Sequence, residues 1–564
     1  MSLQDSWIDL SIVLVYLVAI VGLGCVAGRK RAKAGEGSHY FLAGNTLTWP
    51  VIGLAMFAAN ISTVHLVSFA ETAYKHGMVF GNFEWGAGFT LVLLSLFFAP
   101  LYLRSRVATL PDFLERRFNR PSRDWLSVIS IFSAIVIHIG VALFTAASVL
   151  RGILHIAPTA TILGIDAVMF FIIVLGVLTG IYTMIGGLLA VVWTESIQTV
   201  LLLVGAVVIT VAGYLKVGGW AELSATLASH PHPLAGVPAA NITWDTHNFL
   251  HMLRGSHDPS KLPWYAMLLG YPVIGIWYWC CDQTIVQRVL AARDEKQARL
   301  GPLFCAFIKI LPVFIFVLPG VICLALVQQG HFGREAPADA KDTYAFMTMH
   351  LLPIGLKGLV IAAMLAAAMQ TCSAALNSTA TLFAYDIVRR WRPQTSDHNL
   401  VVTGKITTVA GTVLAIVSSP LFAHYDTIFE GLSKLICYLS PPITAVFLLG
   451  VFWKKASGKA AFLTLVVGAV LGTVIFFLDW YEKSTGWHLN YMMASFYLCV
   501  FCGLLMIVAS KLYPEPLKPE ARALVWDNWR EPLLGKVEGR GMGNYRVASA
   551  VVVATFIVLY VIFR

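Results

Sequence analysis

Asn60 and Ser62 interrupt the apolar run Phe57-Ala-Ala-Asn60-Ile-Ser62, and His65 follows three residues on. The next apolar segment carries Glu84, in Gly81-Asn-Phe-Glu84-Trp85. A distant one carries Lys309 as the lone charge of Phe304-Cys-Ala-Phe-Ile-Lys309-Ile-Leu-Pro312. An amide, an imidazole, a carboxylate and an ammonium in apolar surroundings are each costly unless they pair or face a water-filled cavity. Glu84 is a suitable partner for Lys309. Together the four offer donors and acceptors to a ligand bearing several hydroxyls. Trp277-Tyr278-Trp279 adds flat aromatic faces on which the C–H face of a ring can stack. Plainer readings stand beside this one. Asn60 could tie off a helix break, His65 could pack between helices, the aromatics could form an interfacial belt, and Lys309 with Glu84 could be a structural ion pair. Four costly groups where packing needs one favour a binding site.

A second polar cluster runs through Ala366-Ala-Ala-Met-Gln370-Thr371-Cys-Ser373-Ala-Ala-Leu-Asn377-Ser378-Thr379. Small and hydroxylated residues permit close helix contact. They also suit a sodium site, because the ion takes hard oxygen ligands and a broken helix bares its carbonyls beside the hydroxyls of a partner helix. Ala58 and Ile61, flanking the break at Asn60, could give carbonyls, and Thr371 a hydroxyl. No Gly-rich phosphate loop of the Walker type is present, so energy is expected from a gradient rather than from ATP. Cys499-Val-Phe-Cys502 has metal-like spacing but neither a second pair nor a nearby His, and no metal centre is expected there.

The elements that must position these groups are membrane helices. The 564 residues are 58% hydrophobic and 12% charged, against roughly 25% charge in soluble proteins. Mean hydropathy is +0.75. About fourteen segments approach the roughly 20 apolar residues that cross a bilayer. Among them are 49–71, 161–184, 187–215 and 264–291. The composition therefore predicts an all-α polytopic membrane protein, and polar sites inside such a protein point to transport. Basic residues fall in alternate connections, from Arg29-Lys30-Arg31 through Arg104 to Arg123 and Lys454-Lys455 to the stretch 511–546. That side is cytoplasmic by the positive-inside rule, which puts both termini outside. The net charge of +10 then reflects topology rather than affinity for nucleic acid. Short loops point to a bacterial inner membrane, with the lipid bilayer and a small-molecule solute as partners and the chain as monomer or homodimer. Asn241-Ile-Thr243 is a glycosylation sequon that carries no meaning in a bacterial host.

At this point the residues resemble the sodium:solute symporter family, in its sodium/glucose cotransporter branch. The resemblance runs from about Tyr40 to Lys455 and includes Ala58-Ala-Asn-Ile-Ser62, Gly186-Gly-Leu-Leu-Ala-Val-Val-Trp-Thr-Glu-Ser-Ile-Gln198, Trp277-Tyr-Trp-Cys-Cys-Asp-Gln283 and Leu376-Asn-Ser-Thr-Ala-Thr381. It implies a LeuT-type core of two inverted five-helix repeats, 49–215 and 264–455. Residues 1–48 would then hold the first helix and a cytoplasmic loop, 216–263 an extracellular loop, and 456–564 three peripheral spans. The resemblance implies that Asn60, His65, Glu84 and Lys309 hydrogen-bond a sugar, with Trp279 nearby and Tyr278 and Phe83 as gates. It implies that carbonyls of Ala58, Ile61 and Ala367, with two adjacent hydroxyl residues, hold Na+ as the coupling ion. Glu195 matches an acidic position associated with sodium passage, usually Asp.

This sequence departs from the pattern twice. Gln370-Thr371 replaces a Ser-Ser pair, so Gln370 must turn its amide oxygen to the ion or drop out. Ser433 replaces a long-reaching Gln and is followed by Lys434, expected at an aqueous edge; a sugar acid becomes plausible if Lys434 points inward. The expected activity is sodium-coupled import of a sugar or related polyol by alternating access, not an enzymatic reaction. A sodium-independent facilitator or a sugar-sensing receptor is the alternative.

Overall fold

A backbone in lipid must satisfy its own hydrogen bonds, so long apolar runs fold as helices. The computed structural model describes residues 7–31, 37–154, 156–157, 159–229, 249–256, 258–337, 339–424, 428–534 and 540–564. Among the described residues, 12 helices are long and apolar enough to cross a membrane, two fewer than the fourteen expected. The difference falls where helices are interrupted. Helix α1 (Trp7–Arg31) is continuous, but the expected span 49–71 is two halves, α2 (Trp49–Asn60) and α3 (Thr63–His76). Helices α4 (82–105), α5 (Leu110–Arg117) and α6 (Arg120–Ile153) follow. Then come α7 (Ala167–Val217), α8 (Trp264–Ile276), α9 (Gln283–Leu290), α10 (Glu295–Gln328) and α11 (Leu356–Trp391). Beyond them lie α12 (Asp397–Ser418), α13 (Ile428–Phe452), α14 (Gly458–Trp480), α15 (Tyr491–Leu512) and α16 (Tyr545–Ile562).

The structure corrects two further expected spans, 161–184 and 264–291. Residues 161–184 do not begin as helix. Thr161–Ile162 (β1) and Ile165–Asp166 (β2) form a small antiparallel hairpin, turned by Leu163 and Gly164 at φ 53° and 78°. Asp166 then starts α7 by accepting the Met169 amide at 3.0 Å. Spans 161–184 and 187–215 abut in one kinked helix, bent at Gly187 (φ 60°, ψ −170°). That conformation is open essentially only to glycine, and a Cβ there would also meet the Tyr40 ring at 2.7 Å. The run 264–291 is interrupted as well. A π-type turn, Trp277–Cys281, ends at Asp282 in extended backbone, and the Asp282 carboxylate accepts the Thr284 amide at 2.7 Å to start α9. The 241–243 sequon lies outside the described residues.

Burial sorts the helices into an enclosed centre and a periphery. The apolar window of α11 is 94% buried, whereas those of α1 and α16 are 22% buried. Two polar ties anchor the outer helices. Asp9 of α1, fully buried, accepts the amides of Gly355 and Gly358 at 2.7 Å each and so caps the start of α11. Tyr560 of α16 donates to Asn82 Oδ1 at 3.0 Å, beside Glu84. At the basic end, Arg117 donates to the carbonyls of Gly450, Trp453 and Ala456 at 2.7, 2.8 and 3.3 Å, closing the end of α13. Burial lowers its pKa to about 10, at which it still carries its charge.

Candidate functional site

The helix break supplies the first wall of the site. Ile61 and Ser62 are extended, and Ser62 caps α3 in a reciprocal box with His65. The Ser62 amide donates to His65 Nδ1 at 3.2 Å, which fixes the ring and aims Nε2 at Glu84 Oε1, 3.9 Å away. Lys309 stands where the first part of α10 ends, just before Pro312, and its ammonium donates to Glu84 Oε2 at 2.6 Å and to Asn60 Oδ1. Glu84 and Lys309 are only 2% and 1% exposed, so each neutralises a charge that the other would leave stranded. The same ammonium lies 5.2 Å from the Trp279 ring centre and 5.6 Å from that of Phe57.

These groups surround a cavity of about 130 Å³. One water needs about 10–15 Å³ by this measure, so the space matches roughly ten waters, the scale of one monosaccharide. Asn60, His65, Glu84, Lys309, Tyr278, Trp279, Phe83 and Ser433 all line it, as does Thr371. Lys434, next to Ser433, does not line the cavity; its ammonium, on a side chain 21% exposed, pairs with Asp479 at the end of α14 at 3.1 Å. Aromatic rings form one wall: Phe429 lies 5.1 Å from Phe83, 5.4 Å from Phe69 and 5.6 Å from Phe80, centre to centre. Phe69 and Phe429 line the cavity and were missed by sequence reasoning, because a phenylalanine in an apolar run carries no contrast. His138 was also missed. It lines the cavity, with Nε2 3.5 Å from Asp282 Oδ2 and its ring 6.0 Å from that of Tyr278. Its signal was present: a histidine between Ile137 and Ile139.

Beside this cavity α11 meets the break. Thr371 Oγ1 lies 3.4 Å from the Ile61 carbonyl oxygen and 3.3 Å from that of Ala367. The hydroxyl therefore stands within hydrogen-bond reach of one carbonyl from the break and one from its own helix. Ala58 is fully buried one helical turn before Ile61. Gln370 is held by its nitrogen side. Its amide nitrogen donates to the Glu195 carbonyl at 3.4 Å, and its buried Oε1 has no hydrogen-bond partner among the described residues. The Glu195 carboxylate in turn accepts from Arg288 at 2.7 Å, both side chains being fully buried.

Interrupted helices that converge on a buried polar cavity, with backbone carbonyls beside hydroxyls, define a secondary transporter. The profile of the sodium:solute symporter family matches residues 40–468. A sodium/mannose cotransporter of Bos taurus is 30% identical over 97% of this chain and 93% of its own length. A sodium/glucose cotransporter 4 of Danio rerio is 33% identical over 83% of this chain and 71% of its own. A sodium/myo-inositol cotransporter 2 of Oryctolagus cuniculus is 30% identical over 94% and 80%. Among solved structures, a sodium-coupled sialic acid symporter superposes with TM-score 0.73 at 23% identity, covering 91% of this chain and 99% of the other. That likeness carries the fold, a LeuT-type helical core. The chain belongs to the sodium:solute symporter family. It is a multi-span membrane transporter, not an enzyme, and couples solute movement to Na+.

Proposed function

We propose that the solute is a sugar or related polyol, carried inward with Na+ by alternating access. The observation that carries this reading is the Lys309–Glu84–Asn60 network at the wall of a cavity the size of one monosaccharide. It presents charged and neutral donors and acceptors to hydroxyls, beside the flat faces of Trp279 and Tyr278. Relatives whose names specify glucose, mannose and myo-inositol support the same class. In this reading Asn60, His65, Glu84, Lys309, Trp279 and Ser433 contact the solute, while Tyr278 and Phe83 gate it. Ala58, Ile61, Ala367, Gln370 and Thr371 serve the ion. Binding of Na+ between α2 and α11 holds the break, and with it Asn60 and His65, in the shape the solute needs. That is a coupling free energy between two sites. Inward movement of one charge across 100 mV supplies about 2.3 kcal/mol before any concentration gradient.

The two repeats are assigned to 49–215 and 264–455, with 1–48, 216–263 and 456–564 outside them. The chain is placed in a bacterial inner membrane with both termini outside, as monomer or homodimer and without a nucleic-acid partner. The deciding experiment is uptake of labelled glucose, mannose and myo-inositol into proteoliposomes under an inward Na+ gradient, with K+ as control. Accumulation with Na+ alone is expected. Equilibration indifferent to Na+ would make the chain a facilitator, and failure with all three solutes would overturn the sugar assignment.

A further inference from the structure

The turn after α13 and the end of α15 enclose a recess of about 820 Å³, lined by Lys454, Lys455, Lys511, Leu517, Arg522 and Trp453 among others. Its charge is lopsided. Four cations face two carboxylates, Glu515 and Asp527, and both carboxylates are already engaged. Lys454 bonds to Asp527 and holds its carboxyl below the usual range. Glu515 Oε2 accepts the Gly458 amide at 2.8 Å. Lys455, Lys511 and Arg522 are exposed and make no hydrogen bond or ion pair with the described residues. With Lys454 balanced by Asp527, three cations and the Glu515 carboxylate leave the recess with a surplus of positive charge, which calls for an anion.

The surroundings identify which anion. Lys511 lies in the last turn of α15, where the helix leaves the membrane. Along that helix Val500, Leu504, Val508 and Leu512 are 44–69% exposed. A spacing of four puts them on one stripe. An apolar stripe in the bilayer therefore runs into a cationic recess at its surface. A free anion would use only the recess; a lipid uses both.

We propose that this recess binds the phosphodiester headgroup of an anionic phospholipid whose acyl chain lies along the α15 stripe. The lipid would bear on transport through α13. The back wall of the recess is the turn whose carbonyls Arg117 holds, and the same helix carries Phe429 and Ser433 to the solute cavity. A headgroup bridging Lys455, Lys511 and Arg522 ties the end of α13 to α15.

The test uses the full chain in detergent micelles, titrated with dioleoylphosphatidylglycerol or dioleoylphosphatidylcholine, with bound lipid counted by native mass spectrometry. Each basic residue near an anionic headgroup strengthens binding about fivefold. Combining Lys455→Gln, Lys511→Gln and Arg522→Gln should weaken phosphatidylglycerol binding roughly a hundredfold and leave phosphatidylcholine binding unchanged. The melting temperature in phosphatidylcholine should not change, whereas the rise that phosphatidylglycerol brings to the native chain should vanish in the variant. Equal phosphatidylglycerol affinity in the two proteins would overturn the proposal. So would displacement of the lipid by inorganic phosphate at matched ionic strength, which would assign the recess to a free anion. Neither readout depends on which solute is transported.

Discussion

Lys309 and Glu84 show how a binding group can also be a stability liability. Removing one partner of a buried ion pair costs about 3–5 kcal/mol, because the other charge is left uncompensated. Lys309→Ala is therefore expected to lower both thermal stability and uptake. Combining Lys309→Met with Glu84→Gln should restore stability in a fluorescence melting assay yet leave uptake abolished. Recovery of uptake in that pair would reduce the two residues to structural roles. Thr371 invites a different test, since its hydroxyl is the side-chain member of the oxygen triad with Ile61 and Ala367. Thr371→Ala should raise the Na+ concentration for half-maximal uptake about tenfold, worth about 1.4 kcal/mol, with Thr371→Ser close to native. An unchanged Na+ dependence in the alanine variant would remove Thr371 from the ion site. The residues that sequence exposed were those with contrast: an Asn, a His, a Glu and a Lys set in apolar runs. The direction of a side chain was beyond it. Gln370 reaches the Glu195 carbonyl and Lys434 reaches Asp479, and nothing local decides either.

Among the elements, interruptions matter more than lengths. Asn60 announced its break because a polar residue flanked by small ones sits in mid-span. The second break at Asp282 lay hidden in a run of aromatics and cysteines, although an aspartate there had no other reason to be buried. Gly164 was likewise a turn signal inside an expected helix, outweighed by the apolar residues around it. Gly187 tests the principle. Its backbone conformation is closed to a side chain at a cost of about 1–3 kcal/mol, apart from the clash with Tyr40. Gly187→Ala should lower the melting temperature and the monodisperse yield on size-exclusion chromatography. Native behaviour would mean that the kink at Gly187 can relax at little cost. The break at Asn60 bares backbone groups beside the cavity, where side chains from α4, α10 and α11 can work with them.

At the scale of the molecule, the proposed topology puts both ends on the side opposite the basic loops. An epitope appended after Arg564 should react with antibody on intact spheroplasts, and a tag in the 511–546 stretch only after lysis. The reverse pattern would invert the whole topology. Charge alternation carries that proposal, whereas long-range ties were not legible, because partners hundreds of residues apart leave no local pattern. Asp9 is the clearest case. Its two glycine amides lie 346 and 349 residues downstream. At about 5–20 residues per second a ribosome takes roughly 17–70 s to supply them. Throughout that interval these two amides do not yet exist, so the Asp9 end of the first helix is expected to stay in contact with water. The bonds that seat Asp9 are thus among the later ones the growing chain can make.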